Sequence, residues 1–274
     1  MTWRDILIQV GSGPREAERL ALAADLAERL GARLRGAHLR GPRLIDVAGA
    51  SPDPSWMVST EVQRVAQEQE AEETQGAEQA RETFQSVVGR DLTSNWMDLE
   101  WSLEAWIAQA RCADLTIVGA TGDTRLYSPM SPDRLAAVSG GPVLILPPTA
   151  DGPIGHRVLC AWNGGREASR ALKDAMPLLE QAEAVTVLSV ETAEGAPADD
   201  AGLGAHLQAH GVAATLVQRR GSNPAAILRR EALSRAADLI VMGVYGRSRM
   251  AEWVLGGVSR AMLCDPPLPL LISH

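Results

Sequence analysis

Residues 241–263 read VMGVYGRSRMAEWVLGGVSRAML, and their glycines guide the interpretation of the whole chain. A short apolar run ends at Gly243, a second glycine follows at Gly246, and the pair Gly256-Gly257 precedes a helix-like segment. Because glycine has no Cβ, the backbone can turn tightly or approach another group closely at each of these positions. The stretch therefore predicts a strand, a glycine loop and the first turn of a helix.

The composition around this stretch is that of a globular protein. The chain has 274 residues, enough for two domains, with 46% hydrophobic and 22% charged residues. It has no run of 18 apolar residues and no signal-peptide pattern, so the sequence predicts a cytoplasmic protein that does not enter a membrane. Three widely spaced cysteines favour neither a disulfide framework nor a zinc site. The net charge of -8 argues against nucleic acid as a partner.

The chain contains two copies of one pattern. Arg15-Glu16-Ala17 matches Arg166-Glu167-Ala168 at an offset of 151 residues, and Ala113-Asp114-Leu115 matches Ala237-Asp238-Leu239 at an offset of 124. The first copy is therefore longer by 27 residues between these points. Near the two ends, PVLIL from Pro142 matches PLLIS from Pro269. A duplicated domain explains these matches better than chance does.

Each copy alternates short β-rich runs with longer helical runs, which predicts a parallel sheet covered by helices. The predicted strands are ILIQV, RLRGAHL, NWMDLEW, LTIVGA and PVLILPP in the first copy, and RVLCAW, AVTVLSV, ATLVQRR, DLIVMGV and PLPLLIS in the second. Helices are predicted at about 166–181, 200–210, 224–236 and 257–264. The extra residues of the first copy include an acidic stretch, residues 61–84, whose composition favours a solvated helix over the sheet.

Motifs of common enzyme classes are missing from the sequence. Gly11-Ser12-Gly13 follows the first strand but lacks the third glycine of a dinucleotide fingerprint. The chain has one lysine, Lys173, and it lies in a predicted helix rather than in a Walker loop. No nucleophile, base or metal constellation is recognisable, so no catalytic residue is predicted.

The glycine loop follows the fourth predicted strand of the second copy, where open α/β sheets bind ligands beyond the carboxyl ends of their strands. The last helix begins in Gly256-Gly257-Val258-Ser259, and N–H groups at a helix start favour an anion. Arg247 and Arg249 could donate charge-assisted hydrogen bonds. The sequence therefore predicts a phosphate-binding loop here.

The spacing G-x2-G-x9-G, followed by a small residue, resembles the ATP-binding signature of the universal stress protein family. The resemblance extends over nearly the whole chain, which is similar to tandem members that carry two such domains in one polypeptide. It implies an α/β fold of two tandem Rossmann-like domains, similar to adenine nucleotide alpha hydrolases, each with a five-stranded, mainly parallel sheet flanked by helices. The expected limits are 1–148 for a degenerate domain and 154–274 for a domain with the nucleotide motif.

The resemblance also implies a site. Its expected residues are Ala161, Trp162, Asn163, Val190, Met242, Gly243, Gly246, Arg247, Gly256, Gly257, Val258 and Ser259. Asn163 stands where ATP-binding members have an aspartate, and Gly257 stands where they have Ser or Thr. Val190 matches the position near the adenine and ribose, although core packing would explain it equally well. The implied cofactor is ATP in the C-terminal copy alone, with no metal or with Mg²⁺ bound only through the nucleotide.

The first copy departs from the signature. Gly119 and Gly122 persist, but Pro129 and Met130 stand where the second copy has Gly256 and Gly257, and Gly11 replaces the aspartate. Proline lacks an N–H donor, and methionine would occupy the space of a phosphate. This copy is expected to serve as a structural partner without nucleotide. PVLIL and PLPLLIS are expected to adjoin across a pseudo-twofold axis, so that the chain is its own dimer. The sequence leaves open whether the tandem chain also forms a homodimer.

Three functions remain open at this stage. The leading hypothesis is a stress-response protein whose C-terminal half binds an adenine nucleotide without turnover and acts through conformation or partner binding. The alternatives are a nucleotide-free scaffold with a vestigial loop and a weak ATP hydrolase. Gly246→Val is expected to remove ATP binding, whereas the matching change at Gly122 is expected to leave it intact.

Overall fold

The structure of the protein, a computed structural model, describes residues 2–41, 60–89, 92–100, 102–120, 131–193, 202–245 and 256–274. Several residues named above lie outside these ranges: Gly122, Pro129, Met130, Gly246, Arg247 and Arg249. The predictions made on them therefore stay predictions.

The described residues form ten strands. They are β1 (Asp5–Gln9), β2 (Arg33–Leu39), β3 (Ser94–Leu99), β4 (Leu115–Gly119), β5 (Val143–Leu146), β6 (Arg157–Trp162), β7 (Ala184–Glu191), β8 (Ala214–Arg220), β9 (Leu239–Gly243) and β10 (Leu270–Ser273). Each predicted strand is found, with ends that differ by up to three residues. The α/β class is confirmed.

Helices connect the strands. Those described are α1 (Glu16–Leu30), α2 (Thr60–Val87), α3 (Leu103–Arg111), α4 (Pro132–Ser139), α5 (Arg166–Asp174), α6 (Met176–Leu179), α7 (Leu203–Ala209), α8 (Pro224–Ser234) and α9 (Gly257–Cys264). The helix expected over 166–181 is divided into α5 and α6. Pro177 has no N–H to donate to the preceding turn, so the continuous helix ends and a new one begins at Met176. Among the residues described, no helix has the length and apolar character that a membrane span needs.

All ten strands belong to one sheet, in the order β3-β2-β1-β4-β5-β10-β9-β6-β7-β8. Each half is parallel and has the same internal order, and the halves meet where β5 and β10 pair antiparallel, with Leu144 opposite Leu271. The expected closeness of PVLIL and PLPLLIS is thus confirmed. The pairing also removes two apolar edge strands from solvent.

The strand register corrects the alignment of the two copies by one residue. Ile6 pairs with Leu115, and Val158 pairs with Leu239, so Val158 is the structural equivalent of Ile6. The offset at the first strand is therefore one residue larger than the match of Arg-Glu-Ala letters indicated. Leu20 in α1 and Leu172 in α5 are both buried and are separated by the same, larger offset. The repeated letters at the starts of these two helices are therefore one residue out of spatial register.

The acidic segment of the first copy forms the long helix α2, as predicted. Its C-terminal part packs on the sheet through Ala77, Ala80 and Phe84, which are buried. The Phe84 ring lies 5.4 Å from the ring of Trp96 on β3. Most of its N-terminal part is exposed, so α2 covers the sheet with one face and meets solvent with the other.

Candidate functional site: a cleft at the carboxyl ends of β6, β7 and β9

A cleft of about 410 Å³ opens in the C-terminal half where the chain direction across the sheet reverses. Strand β6 lies between β9 and β7, which is the topological switch point of this half. The cleft is lined by Ala161, Trp162, Asn163, Glu167, Leu188, Val190, Thr192, Pro224, Leu228, Met242, Gly243, Gly256, Gly257, Val258 and Ser259. Ten of the predicted site residues are therefore together, while Gly246 and Arg247 are outside the described residues.

The floor of the cleft is apolar. Leu188, Leu228 and Met242 are almost completely buried, and Val190 and Ala161 are half-buried beside them. Leu188 and Val190 share a face because they are two residues apart on β7. A flat apolar group, such as a heteroaromatic base, could replace water on this surface. Leu188 and Leu228 were missed from the sequence, although the period-2 pattern around Val190 could have indicated Leu188.

The start of α9 forms the polar end of the cleft. The N-cap is Gly256, and the first i to i-4 bond runs from the Arg260 N–H to the Gly256 carbonyl oxygen at 2.9 Å. The N–H groups of residues 257–259 consequently have no acceptor among the described residues. A Cβ at Gly256 or Gly257 would meet only open space. Packing therefore does not require glycine at either position, and both leave room for a ligand.

Asn163 has a structural task that the sequence did not indicate. Its side-chain Oδ1 accepts a hydrogen bond from the Gly165 N–H at 2.9 Å, two residues further on. This Asx turn directs the chain from β6 into α5. The oxygen is thus occupied, and the amide N–H₂ group is the part of this exposed side chain that remains for a ligand.

Gly243 lines the cleft and also has a packing role that the sequence did not indicate. A Cβ at this position would lie 2.6 Å from both the backbone nitrogen of Ala168 and the carbonyl oxygen of Glu167. Real Cβ atoms do not come so close to backbone atoms, so glycine is needed for α5 to pack on the end of β9. The approach that requires Gly243 is that of a helix, and any ligand role is additional.

Glu167 is the charged residue that the sequence analysis missed. Its side chain is 14% exposed and lines the cleft. Among the described residues it pairs with Arg166, whose Nη1 lies 3.7 Å away on a largely exposed side chain. Within the described lining, Glu167 is the one charged side chain. The cleft thus combines the positive end of a helix with a carboxylate. In the sequence, the position of Glu167 in the first turn of the predicted helix after Asn163 could have indicated that it lies near the site.

In the N-terminal half, side chains of α1 and α2 lie at the corresponding edge, and a separate cavity of about 370 Å³ opens beside Arg19 and Gly119. Arg19 lies over Gly119, donates to the Gln9 carbonyl oxygen at 2.6 Å and pairs with Glu16 Oε1 at 2.5 Å. Helix α2 reaches the same edge, where Glu73 Oε2 accepts from the Gly41 N–H at 2.9 Å. A guanidinium group therefore lies at the end of β4, whereas no arginine is among the described residues that line the cleft at the end of β9.

No metal centre is built from protein groups alone in the described ranges, which contain no cluster of three or more His, Cys, Asp or Glu side chains suited to an ion. Glu167 is a lone carboxylate in the cleft. A cation there would need most of its oxygen ligands from a bound molecule.

Comparison with known proteins agrees with this geometry. A sequence model of the universal stress protein family matches residues 155–274, the half that contains the cleft. Residues 155–274 belong to the universal stress protein family. Among curated proteins, no significant match to the sequence is found.

Solved structures extend the comparison to the whole chain. A universal stress protein from Archaeoglobus fulgidus DSM 4304 superimposes with a TM-score of 0.68 at 14% identity, covering 98% of this chain and 97% of that protein. A protein of unknown function from Pseudomonas aeruginosa PAO1 gives 0.58 at 17% identity, covering 99% and 92%. A putative universal stress protein from Pseudomonas aeruginosa UCBPP-PA14 gives 0.58 at 16% identity, covering 99% and 93%.

At these identities the likeness shows the fold alone. Both halves of the chain thus have the fold of universal stress proteins, and the resemblance stated from the glycine loop is confirmed for the C-terminal half. The universal stress domain at 155–274 includes every described residue that lines the cleft.

Proposed function

We propose that the universal stress domain binds an adenine nucleotide, ATP or a close relative, in the cleft at the ends of β6, β7 and β9. The chain would act in a stress response through conformation or partner binding, without turning the nucleotide over. The observation that supports this proposal best is the meeting of an apolar floor with free helix N–H groups in one cleft. The proposal includes the limits 1–148 and 154–274 for the two domains.

The base would lie on the floor formed by Val190, Leu228 and Met242, and the phosphates would reach the start of α9. The helix dipole contributes only ~0.3–1 kcal/mol to anion binding. Charge-assisted hydrogen bonds from the N–H groups of residues 257–259 would each add roughly 1.5–3 kcal/mol. These bonds, rather than the dipole, would therefore supply most of the phosphate affinity, together with any contribution from Arg247.

Mg²⁺ would accompany the phosphates. Glu167 places a negative charge in the cleft, and the described lining has no basic side chain to offset it. Mg²⁺ is commonly held by one or two carboxylates together with substrate phosphates and water. Glu167 is the described residue that would contact such an ion, directly or through water.

Turnover is not part of the proposal. The described lining contains Glu167 but no histidine, cysteine, lysine or arginine that could act with it as a nucleophile, acid or base. Counting inorganic phosphate released from MgATP over time tests this point, and the expected rate equals the background rate. Release above background that disappears in Glu167→Gln would instead support the weak hydrolase.

Isothermal titration with MgATP tests binding. We expect saturable binding to the wild-type chain and none to Val190→Trp, because the indole would occupy the floor of the cleft. The matched control is Leu39→Trp, at the half-buried end of the corresponding strand in the N-terminal half. Equal binding by all three proteins would place the site elsewhere. An absence of binding by the wild type would favour the scaffold hypothesis.

A further inference from the structure

Tyr245, two residues beyond the end of β9, connects the two halves of the molecule. Its hydroxyl group donates a hydrogen bond to Asp133 Oδ2, in the first turn of α4. Its backbone has a φ of 65°, in the left-handed region that residues other than glycine rarely adopt. Within the described ranges, Ala236 is the other residue of this kind. A strained backbone therefore coincides with a contact between the halves.

Asp133 depends on the same contact. It is 2% exposed, and its second oxygen, Oδ1, has no hydrogen-bond partner among the described atoms. A buried carboxylate is costly unless hydrogen bonds compensate for its lost hydration. The start of α4 provides a favourable dipole, and the hydroxyl of Tyr245 provides the side-chain hydrogen bond. One hydrogen bond thus joins a residue in the left-handed region to a buried carboxylate with one unpartnered oxygen.

The surroundings of Tyr245 are also anchored. The Val244 N–H donates to the Ser273 carbonyl oxygen at 3.0 Å, at the end of β10. The Val244 carbonyl oxygen lies 3.2 Å from His274 Nδ1, and the His274 ring meets the Tyr245 ring edge-on with centroids 5.7 Å apart. The segment leaving the cleft residues Met242 and Gly243 is thus held by β10 on one side and by Asp133 on the other.

We propose that Asp133 of the N-terminal half is a positioning residue for the nucleotide cleft of the C-terminal half. By holding the hydroxyl of Tyr245, it keeps Val244 and Tyr245 in place directly after the cleft residues Met242 and Gly243. The half without the glycine signature thereby completes the site of the other half. This inference rests on the proposed function for its ligand, although the contact itself does not.

The test is a double-mutant cycle read by the affinity for MgATP. Asp133→Ala and Tyr245→Phe are each expected to weaken binding roughly tenfold, and the double variant no further, because both remove the same hydrogen bond. Asp133→Asn keeps an acceptor oxygen and should restore most of the affinity. Additive losses, or an unchanged affinity in Asp133→Ala, would overturn the proposal.

A control separates positioning from general destabilisation. Leu135, two residues further along α4, is 2% exposed, and Leu135→Ala should lower the stability of the same helix while leaving both partners of the Tyr245–Asp133 hydrogen bond present. It is expected to leave the affinity for MgATP unchanged at a temperature where it is folded. Weakening equal to that of Asp133→Ala would show that α4 acts only through stability.

A readout without nucleotide distinguishes this inference from the proposed function. Met242 lines the cleft, and its ¹³C-methyl signal can be assigned with Met242→Leu. We expect Asp133→Ala to move this signal, Asp133→Asn to return it towards the wild-type position, and Leu135→Ala to leave it unchanged. If the wild type binds no MgATP, the proposed function fails, and the Met242 signal alone then tests the positioning role of Asp133. An unmoved signal in Asp133→Ala overturns the positioning role.

Discussion

Gly243 packs directly against the backbone of Glu167, so that a Cβ on the glycine would come within 2.6 Å of the Glu167 carbonyl oxygen. This contact joins the end of β9 to the first turn of α5. It places the carboxylate of Glu167 in the same cleft as the start of α9. One glycine thus determines how two walls of the cleft approach each other.

Gly243→Ala should destabilise the fold, because the new methyl group meets backbone atoms that cannot move independently of α5. We expect a loss of about 1–3 kcal/mol in the free energy of unfolding, measured by urea denaturation. Gly256→Ala is the matched control, since its Cβ would enter open space and its φ is −62°. Equal losses in the two variants would contradict the packing role of Gly243.

Gly257→Ser should strengthen nucleotide binding. The substitution adds a hydroxyl donor at the first residue of α9, where the side chain has free space. One additional hydrogen bond of ~1–1.5 kcal/mol corresponds to roughly tenfold in affinity, measured by titration with MgATP. Ala261→Ser, at an exposed position one turn further along the helix, should have no effect. If the two variants bound MgATP with the same affinity, the proposed position of the phosphates at the start of α9 would be wrong.

Glu167→Gln should change the dependence of binding on Mg²⁺. Removing the carboxylate eliminates repulsion with the phosphates, so ATP without metal should bind roughly five- to tenfold more tightly. The advantage of MgATP over free ATP should shrink correspondingly in parallel titrations with Mg²⁺ and with EDTA. Glu183→Gln, at a largely exposed side chain before β7, is the control. An unchanged ratio in Glu167→Gln would argue against a metal near this residue.

Tyr245 should influence stability at alkaline pH. Burial raises the pKa of its phenol above the ordinary value, and the hydrogen bond to Asp133 and the charge of Asp133 raise it further. The unfolded chain then loses this proton first, so the free energy of unfolding falls as pH rises above about 10. Between pH 8 and a pH above 10, the urea midpoint should therefore fall further in the wild type than in Tyr245→Phe. Identical pH profiles would contradict the buried contact.

Secondary structure could be predicted from this sequence because the period-2 runs and the turn residues are clear. The β-branched content of AVTVLSV and LTIVG, for example, identifies β7 and β4 with small errors at their ends. The pairing of β5 with β10 was also predictable, since two apolar strands at matching positions of a repeat need a common partner. Local patterns were sufficient for these features.

Other features depend on side-chain directions that no local pattern encodes. The match of Arg15-Glu16-Ala17 with Arg166-Glu167-Ala168 concealed a one-residue difference in spatial register. The sequence indicated glycines but not which approach each one permits, so the packing of Gly243 against α5 was not predicted. The contact between Tyr245 and Asp133 joins residues of different copies, 112 positions apart, so no local pattern predicts it.

The number of nucleotides bound per chain tests the central claim most directly. Equilibrium dialysis of the wild-type protein against radiolabelled ATP with excess Mg²⁺ gives this number at saturation. One site per chain is predicted, because the apolar floor and the start of α9 meet in the cleft at the end of β9, whereas Arg19 lies over Gly119 at the end of β4. Two sites per chain, or none, would contradict the account.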